Sequence, residues 1–139
     1  MEIQRCSNIV PEGVAHYTRK DVTVNGLTIP KNTVVSPLNA ELLKGDYWEN
    51  GKSFNPERFL DAQGNAKKDD HLINFSIGKR QCLGETLAKA ELFIFFTGLL
   101  QTLSFKEEID GVLPSEEYIV GATILPKPFK IRMIKKKNA

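Results

Sequence analysis

The chain has 139 residues, the length of one domain, and its 41% hydrophobic content is enough to bury a core, so the class is globular. The net charge of +2 is too small to argue for nucleic acid, and the dense basic run Lys135-Lys136-Lys137 reads as a solvated tail. Two cysteines, Cys6 and Cys82, exclude a disulfide framework, and no apolar run approaches the roughly 18 residues of a membrane span.

In chain order, Met1 to Ser7 reads as the last turns of a helix whose start lies upstream. Asp21 to Pro30 holds two β-branched runs joined by Asn25-Gly26, a dipeptide that supplies the two positive-φ residues of a tight hairpin. Thr33 to Ser36 continues as a third short strand, and Ala40 to Lys44 as a short helical patch. Gly45 to Asp70 has few periodic apolar residues and reads as a long irregular loop, a feature that is usually functional. Glu85 to Leu103 is the strongest helix, with Leu87, Ala88, Leu92, Phe95, Phe96, Leu99 and Leu103 at three- and four-residue spacing. Phe93, Ile94 and Leu100 fill its other side, so it is expected to be buried nearly all round. Tyr118 to Thr123 and Phe129 to Ile134 are expected to pair as a hairpin across Pro126-Lys127-Pro128.

The most informative stretch is Phe75 to Gly84, F-S-I-G-K-R-Q-C-L-G, directly before that helix. One cysteine sits between two glycines at the mouth of a helix, where unpaired N–H groups and a partial positive charge favour sulfur as a thiolate. Gly78 permits a turn with positive φ, and Gly84 lets the backbone approach something flat. Arg80 is a fixed cation whose planar fork suits a carboxylate.

This stretch resembles the haem-ligand loop of the cytochrome P450 monooxygenases, F-x-x-G-x-R-x-C-x-G, with every fixed position filled. Two further signatures of that family stand in the expected order: E-x-x-R as Glu2-Ile3-Gln4-Arg5, and P-E-R-F as Pro56-Glu57-Arg58-Phe59. The resemblance runs from Glu2 to about Met133. It is closest to the microsomal animal branch, through Ile29-Pro30-Lys31 and Phe54-Asn55-Pro56-Glu57-Arg58-Phe59.

The resemblance implies an α+β segment, the C-terminal portion of a mainly α fold. Residues 1–139 would form the C-terminal haem-binding part of a domain whose N-terminal part lies elsewhere. Cys82 would be the iron ligand of haem b (iron protoporphyrin IX), and thiolate ligation favours O–O cleavage. Phe75 and Gly84 would pack around the sulfur, while Arg80 and His16 would reach the haem propionates. Glu2, Arg5 and Arg58 would form a structural triad that locks the long loop, the family's meander, to the E-x-x-R helix. Val10, Gly13 and Val14 would line the substrate site, as would the turn from Ala122 to Ile124.

The implied reaction inserts one oxygen atom of O₂ into an apolar organic substrate. Electrons would come from NADPH through a flavoprotein reductase, with cytochrome b5 as a further donor, and Lys79 and Lys89 would form part of the basic docking face. The complete protein would sit on the cytosolic face of the endoplasmic reticulum membrane, and this segment alone would lack activity. A second reading is a truncated, non-enzymatic remnant or incomplete gene model that keeps the haem loop. A third, a small thiol-redox or metal module, lacks a resolving cysteine near Cys82 and a ligand cluster.

Overall fold

The computed structural model describes residues 1–137, so the last two positions of the expected 1–139 segment lie outside the described residues. Helix and strand are mixed: three α-helices and four two-stranded sheets appear among the described residues. None of these helices is long and apolar enough to cross a membrane. The chain divides into two compact units. The first holds Met1–Ser76 with Val120–Ile124; the second holds Ile77–Ile119 and the stretch from Leu125 onward.

In the first unit, helix α1 (Glu2–Ser7) ends at Asn8, whose left-handed backbone (φ 38°) lets its N–H close on the Gln4 carbonyl. Strands β2 (Val22–Val24) and β3 (Leu27–Ile29) form the expected hairpin, with Asn25 at φ 48° and Gly26 at φ 80° in the turn. Strand β4 (Val34–Val35) does not extend that hairpin. It pairs antiparallel with β1 (His16–Tyr17), in the register His16 to Val35. The Asp21 carboxylate, accepting the Lys31 N–H at 2.8 Å, ties the base of the β2–β3 hairpin.

Helix α2 (Asn39–Lys44) then leads into the irregular stretch. That stretch is irregular but not featureless, because a 3₁₀ turn over Pro56–Phe59 starts at Asn55. The Asn55 side chain caps it by accepting the Glu57 N–H at 3.1 Å, and Pro56, which needs no N–H partner, opens the turn.

Among the described residues the buried hydrophobic ones, Leu43, Trp48 and Phe59, all lie in this unit. Trp48 and Phe59 pack with ring centres 5.6 Å apart and planes tilted by 50°, and the Trp48 indole N–H is satisfied by the Leu42 carbonyl at 2.9 Å.

The second unit is built on helix α3 (Glu85–Thr102), which passes without a breaker into strand β5 (Leu103–Glu107). Strand β5 pairs with β8 (Ile131–Lys135) over five residues, Leu103 opposite Lys135 through Glu107 opposite Ile131. This corrects the expected hairpin between Tyr118–Thr123 and Phe129–Ile134. Strand β6 (Tyr118–Val120) instead turns back at once onto β7 (Ile124–Pro126), the turn closed by the Gly121 N–H on the Thr123 carbonyl at 3.1 Å. With β6 already paired to its nearest neighbour, β8 is left to β5.

The expected burial of α3 is also corrected. None of its residues is buried, and Leu87, Phe93 and Phe95 are each about two-thirds exposed (64%, 70% and 67%). An apolar helix surface records what it is made to pack against; whether a partner covers it is decided outside the helix.

Candidate functional site

A buried polar network grows from α1. Glu2 and Arg5 are three residues apart, so they share a helix face. Both side chains are almost fully buried, at 2% and 0% exposure. The guanidinium donates from Nε to Glu2 Oε2 and from Nη2 to Glu2 Oε1, both at 2.8 Å, the parallel geometry that suits arginine and carboxylate. Its remaining N–H groups reach main-chain carbonyls: Leu43 and Gly51 at 2.6 Å each, and Ser53 at 3.0 Å. One side chain thereby fixes the end of α2 and two points of the long loop.

Glu2 also accepts the Asn55 N–H at 2.8 Å and Arg58 Nε at 3.1 Å, and Arg58 reaches the Glu49 carbonyl at 3.0 Å. Glu2, Arg5 and Arg58 are thus brought together across more than fifty residues. The Arg5 guanidinium also lies 5.4 Å from the centre of the Trp48 ring.

These contacts set the electrostatics of the cluster. Burial opposes ionisation of Glu2. Hydrogen bonds from Arg5, the Asn55 N–H and Arg58 outweigh it and hold the carboxyl at about 2, against an ordinary 4.5. The Glu2 hydrogen bond in turn raises Arg5 above its usual value. Cys6 sits at the edge, its thiol 3.2 Å from Arg5 Nη2, and burial pushes it up.

A carboxylate with a depressed folded pKa stabilises the fold above its unfolded value, and that stability is lost as pH falls through the folded one. Resistance to urea should therefore decline progressively between about pH 4.5 and pH 2. In Glu2→Gln this part of the acid slope should vanish and the plateau stability should drop. An unchanged acid slope in Glu2→Gln would show that Glu2 is not the responsible group.

The cysteine loop lies across the division between the two units. Phe75, half-buried, belongs to the first; Arg80, Cys82 and Gly84 belong to the second. Gly78 has the expected positive φ (73°) and opens a 3₁₀ turn over Gly78–Arg80. Cys82 is exposed, and its carbonyl accepts the Glu85 N–H at 3.4 Å, so the thiol stands directly before the first turn of α3. Leu83 is fully exposed, and Gly84 faces open space: a side-chain carbon there would meet only Cys82 Sγ, at 3.9 Å. Nothing inside the chain requires Gly84 to lack a side chain. Arg80 is exposed, whereas Lys89 pairs with Glu85 one helical turn away, which compensates much of its charge.

The donor set is one thiol. Among the described residues no group of three His, Cys, Asp or Glu side chains is placed to hold a metal ion. A lone exposed thiol beside an open backbone face suits an iron whose in-plane positions are filled by a flat macrocycle, and the residues present fit that group.

The remaining expected residues lie in the first unit. His16 is half-buried in β1. Gly13 is held by its N–H on the Pro37 carbonyl at 2.9 Å, and a side chain there would strike Pro37 Cγ at 2.5 Å, so close backbone approach explains the glycine. Val10 and Val14 are exposed, and the Val10 carbonyl accepts from Asn39 Nδ2 at 3.2 Å. Of the 122–124 turn, Ile124 donates its N–H to the Ile9 carbonyl at 2.8 Å, next to Val10.

The carbonyls of Leu43, Gly51 and Ser53 were not foreseeable as partners, since every residue carries one. The polar side chain of Asn55 before Pro56 was a readable cap signal.

Comparison with known proteins agrees with the loop. The family model described as Cytochrome P450 matches residues 1–133. Cytochrome P450 2D4 of Rattus norvegicus and cytochrome P450 2D14 of Bos taurus are each 44% identical over 131 residues, 94% of this chain and 26% of theirs. Cytochrome P450 2D6 of Homo sapiens is 43% identical over the same share of each chain. The chain therefore spans about a quarter of the length of the curated relatives it matches.

Proposed function

The chain belongs to the cytochrome P450 family, and on that premise we propose that it is the C-terminal haem-binding part of a monooxygenase. The observation that carries this reading is the exposed Cys82 thiol before α3, with open space at Gly84, inside an intact F-x-x-G-x-R-x-C-x-G loop. Cys82 would hold the iron of haem b through its thiolate. Phe75 and Gly84 would flank the sulfur and limit water access to it. Arg80 and His16 would hold the propionates, orienting the macrocycle. When bound, the haem supplies the activation of O₂ and the transfer of one oxygen atom to an apolar organic substrate.

The other residues bind and hold. Val10, Gly13 and Val14 would lie along the substrate, Gly13 through its backbone alone. Glu2, Arg5 and Arg58 are structural: they keep the meander in place and touch no reacting atom. Electrons would come from NADPH through a flavoprotein reductase, with cytochrome b5 as a second donor. Of Lys79 and Lys89, Lys79 offers exposed positive charge for an acidic partner while Lys89 shares its charge with Glu85, and steering by such charge weakens with salt. The complete protein would work at the cytosolic face of the endoplasmic reticulum membrane.

The test uses the complete protein that carries this segment, purified and reconstituted with a reductase. The expected result is stoichiometric haem, a red-shifted thiolate band in the reduced carbon monoxide complex, and NADPH-dependent oxidation of apolar compounds. A purified, folded protein that takes up no haem would overturn the reading.

A further inference from the structure

The polar network around α1 includes one side chain that the triad does not use. Asn74, immediately before Phe75, donates from Nδ2 to the Gln4 carbonyl at 2.6 Å. That carbonyl lies in the last turn of α1 and also receives the Asn8 N–H at 3.2 Å and the Ser7 hydroxyl at 3.3 Å. Asn74 makes the shortest of the three contacts and the one that reaches the end of α1 from seventy residues away.

The other half of the amide, Oδ1, is buried without a hydrogen-bond partner. Turning the amide over would set two acceptors against each other and strand the NH₂ group, so the chemistry fixes its orientation. A half-satisfied buried amide is unfavourable and calls for an explanation in terms of what the satisfied half does.

What it holds is the stem of the cysteine loop. Asn74 lies inside a turn closed by the Ser76 N–H on the Ile73 carbonyl at 2.9 Å, and Ser76 adopts a positive φ of 63° although it is not glycine. The backbone leaves that turn toward Gly78 and Cys82. The same short helix that receives Asn74 carries Glu2 and Arg5.

We propose that Asn74 is a positioning residue that anchors the stem of the cysteine loop, as far as Ser76, to the end of α1. The proposal rests on the reading of Cys82 as the axial ligand. It assigns Asn74 no contact with haem or substrate.

The test is Asn74→Leu in the complete, haem-loaded protein, with Thr18→Val as the comparison. Thr18 also makes side-chain bonds in the first unit, to the Pro30 carbonyl at 2.6 Å and from the Thr33 N–H at 3.0 Å, but on a different loop. Two quantities are read: the rate at which the red-shifted carbon monoxide band is lost in moderate urea, and amide exchange at Ser76.

Asn74→Leu is expected to lose the band about tenfold faster and to exchange Ser76 correspondingly faster, as removal of one partly buried hydrogen bond implies. Thr18→Val is expected to change both by less than about twofold. If Asn74→Leu does not take up haem, Asn74→Ala, which removes the same donor without adding charge or bulk, is read in the same way. A normal band in the unmodified protein with Asn74 variants that behave like Thr18→Val would overturn the proposal alone. Absence of the band in the unmodified protein would remove the ligand reading and the proposal with it.

Discussion

Replacement of Cys82 by Ser in the complete protein is expected to abolish the red-shifted band of the reduced carbon monoxide complex. The band reports a thiolate on iron, and a serine hydroxyl neither ionises near neutral pH nor donates comparable electron density. The loss should be total rather than graded, because among the described residues no group of metal-binding side chains stands ready to replace the sulfur. Cys6 is half-buried beside Glu2 and Arg5, at the edge of the α1 network. Cys6→Ser should therefore retain the band and serves as the control. Survival of the band in Cys82→Ser would exclude Cys82 as the ligand, whatever the fate of oxidation activity.

The second large effect is expected at Arg5. Its guanidinium is wholly buried and bonds to the Glu2 carboxylate and to three carbonyls at once. Arg5→Ala would leave Glu2 buried with the Asn55 N–H, Arg58 and the Cys6 thiol, and would take the arginine donor from the carbonyls of Leu43 and Gly51, while Ser53 would keep Arg58 at 3.4 Å. Breaking a buried pair in this way costs on the order of 3–5 kcal/mol, a large fraction of the roughly 5–15 kcal/mol that stabilises a typical domain. Haem content should collapse with it.

Arg5→Lys should not rescue, because three donors on a flexible stem cannot replace a planar five-donor fork. Arg58→Ala should cost less, since Arg58 shares Glu2 with Arg5 and its side chain is 10% exposed. Losses in the double variant should be strongly non-additive. Haem content and the urea midpoint measure both effects, and an Arg5→Ala midpoint within about 1 kcal/mol of the parent would refute the central role given to Arg5.

Legibility from sequence varied with how local the cause was. Asn25-Gly26 named its own turn, because the positive φ it needs is a property of those two residues. The α3 helix was placed to within a residue at its end, Leu103 proving to be the first residue of β5. Glu2 and Arg5 were readable as neighbours from helix spacing, while Arg58 was placed beside them only by the resemblance. Strand β1 was missed because a two-residue strand carries no alternation to read. The partner of β8 was misjudged because pairing competes among all strands, and the nearest candidate, β6, was taken by β7.

By itself the sequence pointed to the family, through its resemblance over ten residues of the cysteine loop: a glycine at positive φ, an arginine, and a cysteine before a helix. It also determined that α3 is apolar on nearly every side. Only the tertiary structure decided that Arg5, rather than Arg58, is the hub of the α1 network, that Asn74 closes the end of α1, and that β5 rather than β6 receives β8. Those outcomes depend on main-chain carbonyls and N–H groups that every residue carries alike. Which of them meet is settled by the path of the backbone, and no pattern of side chains records it.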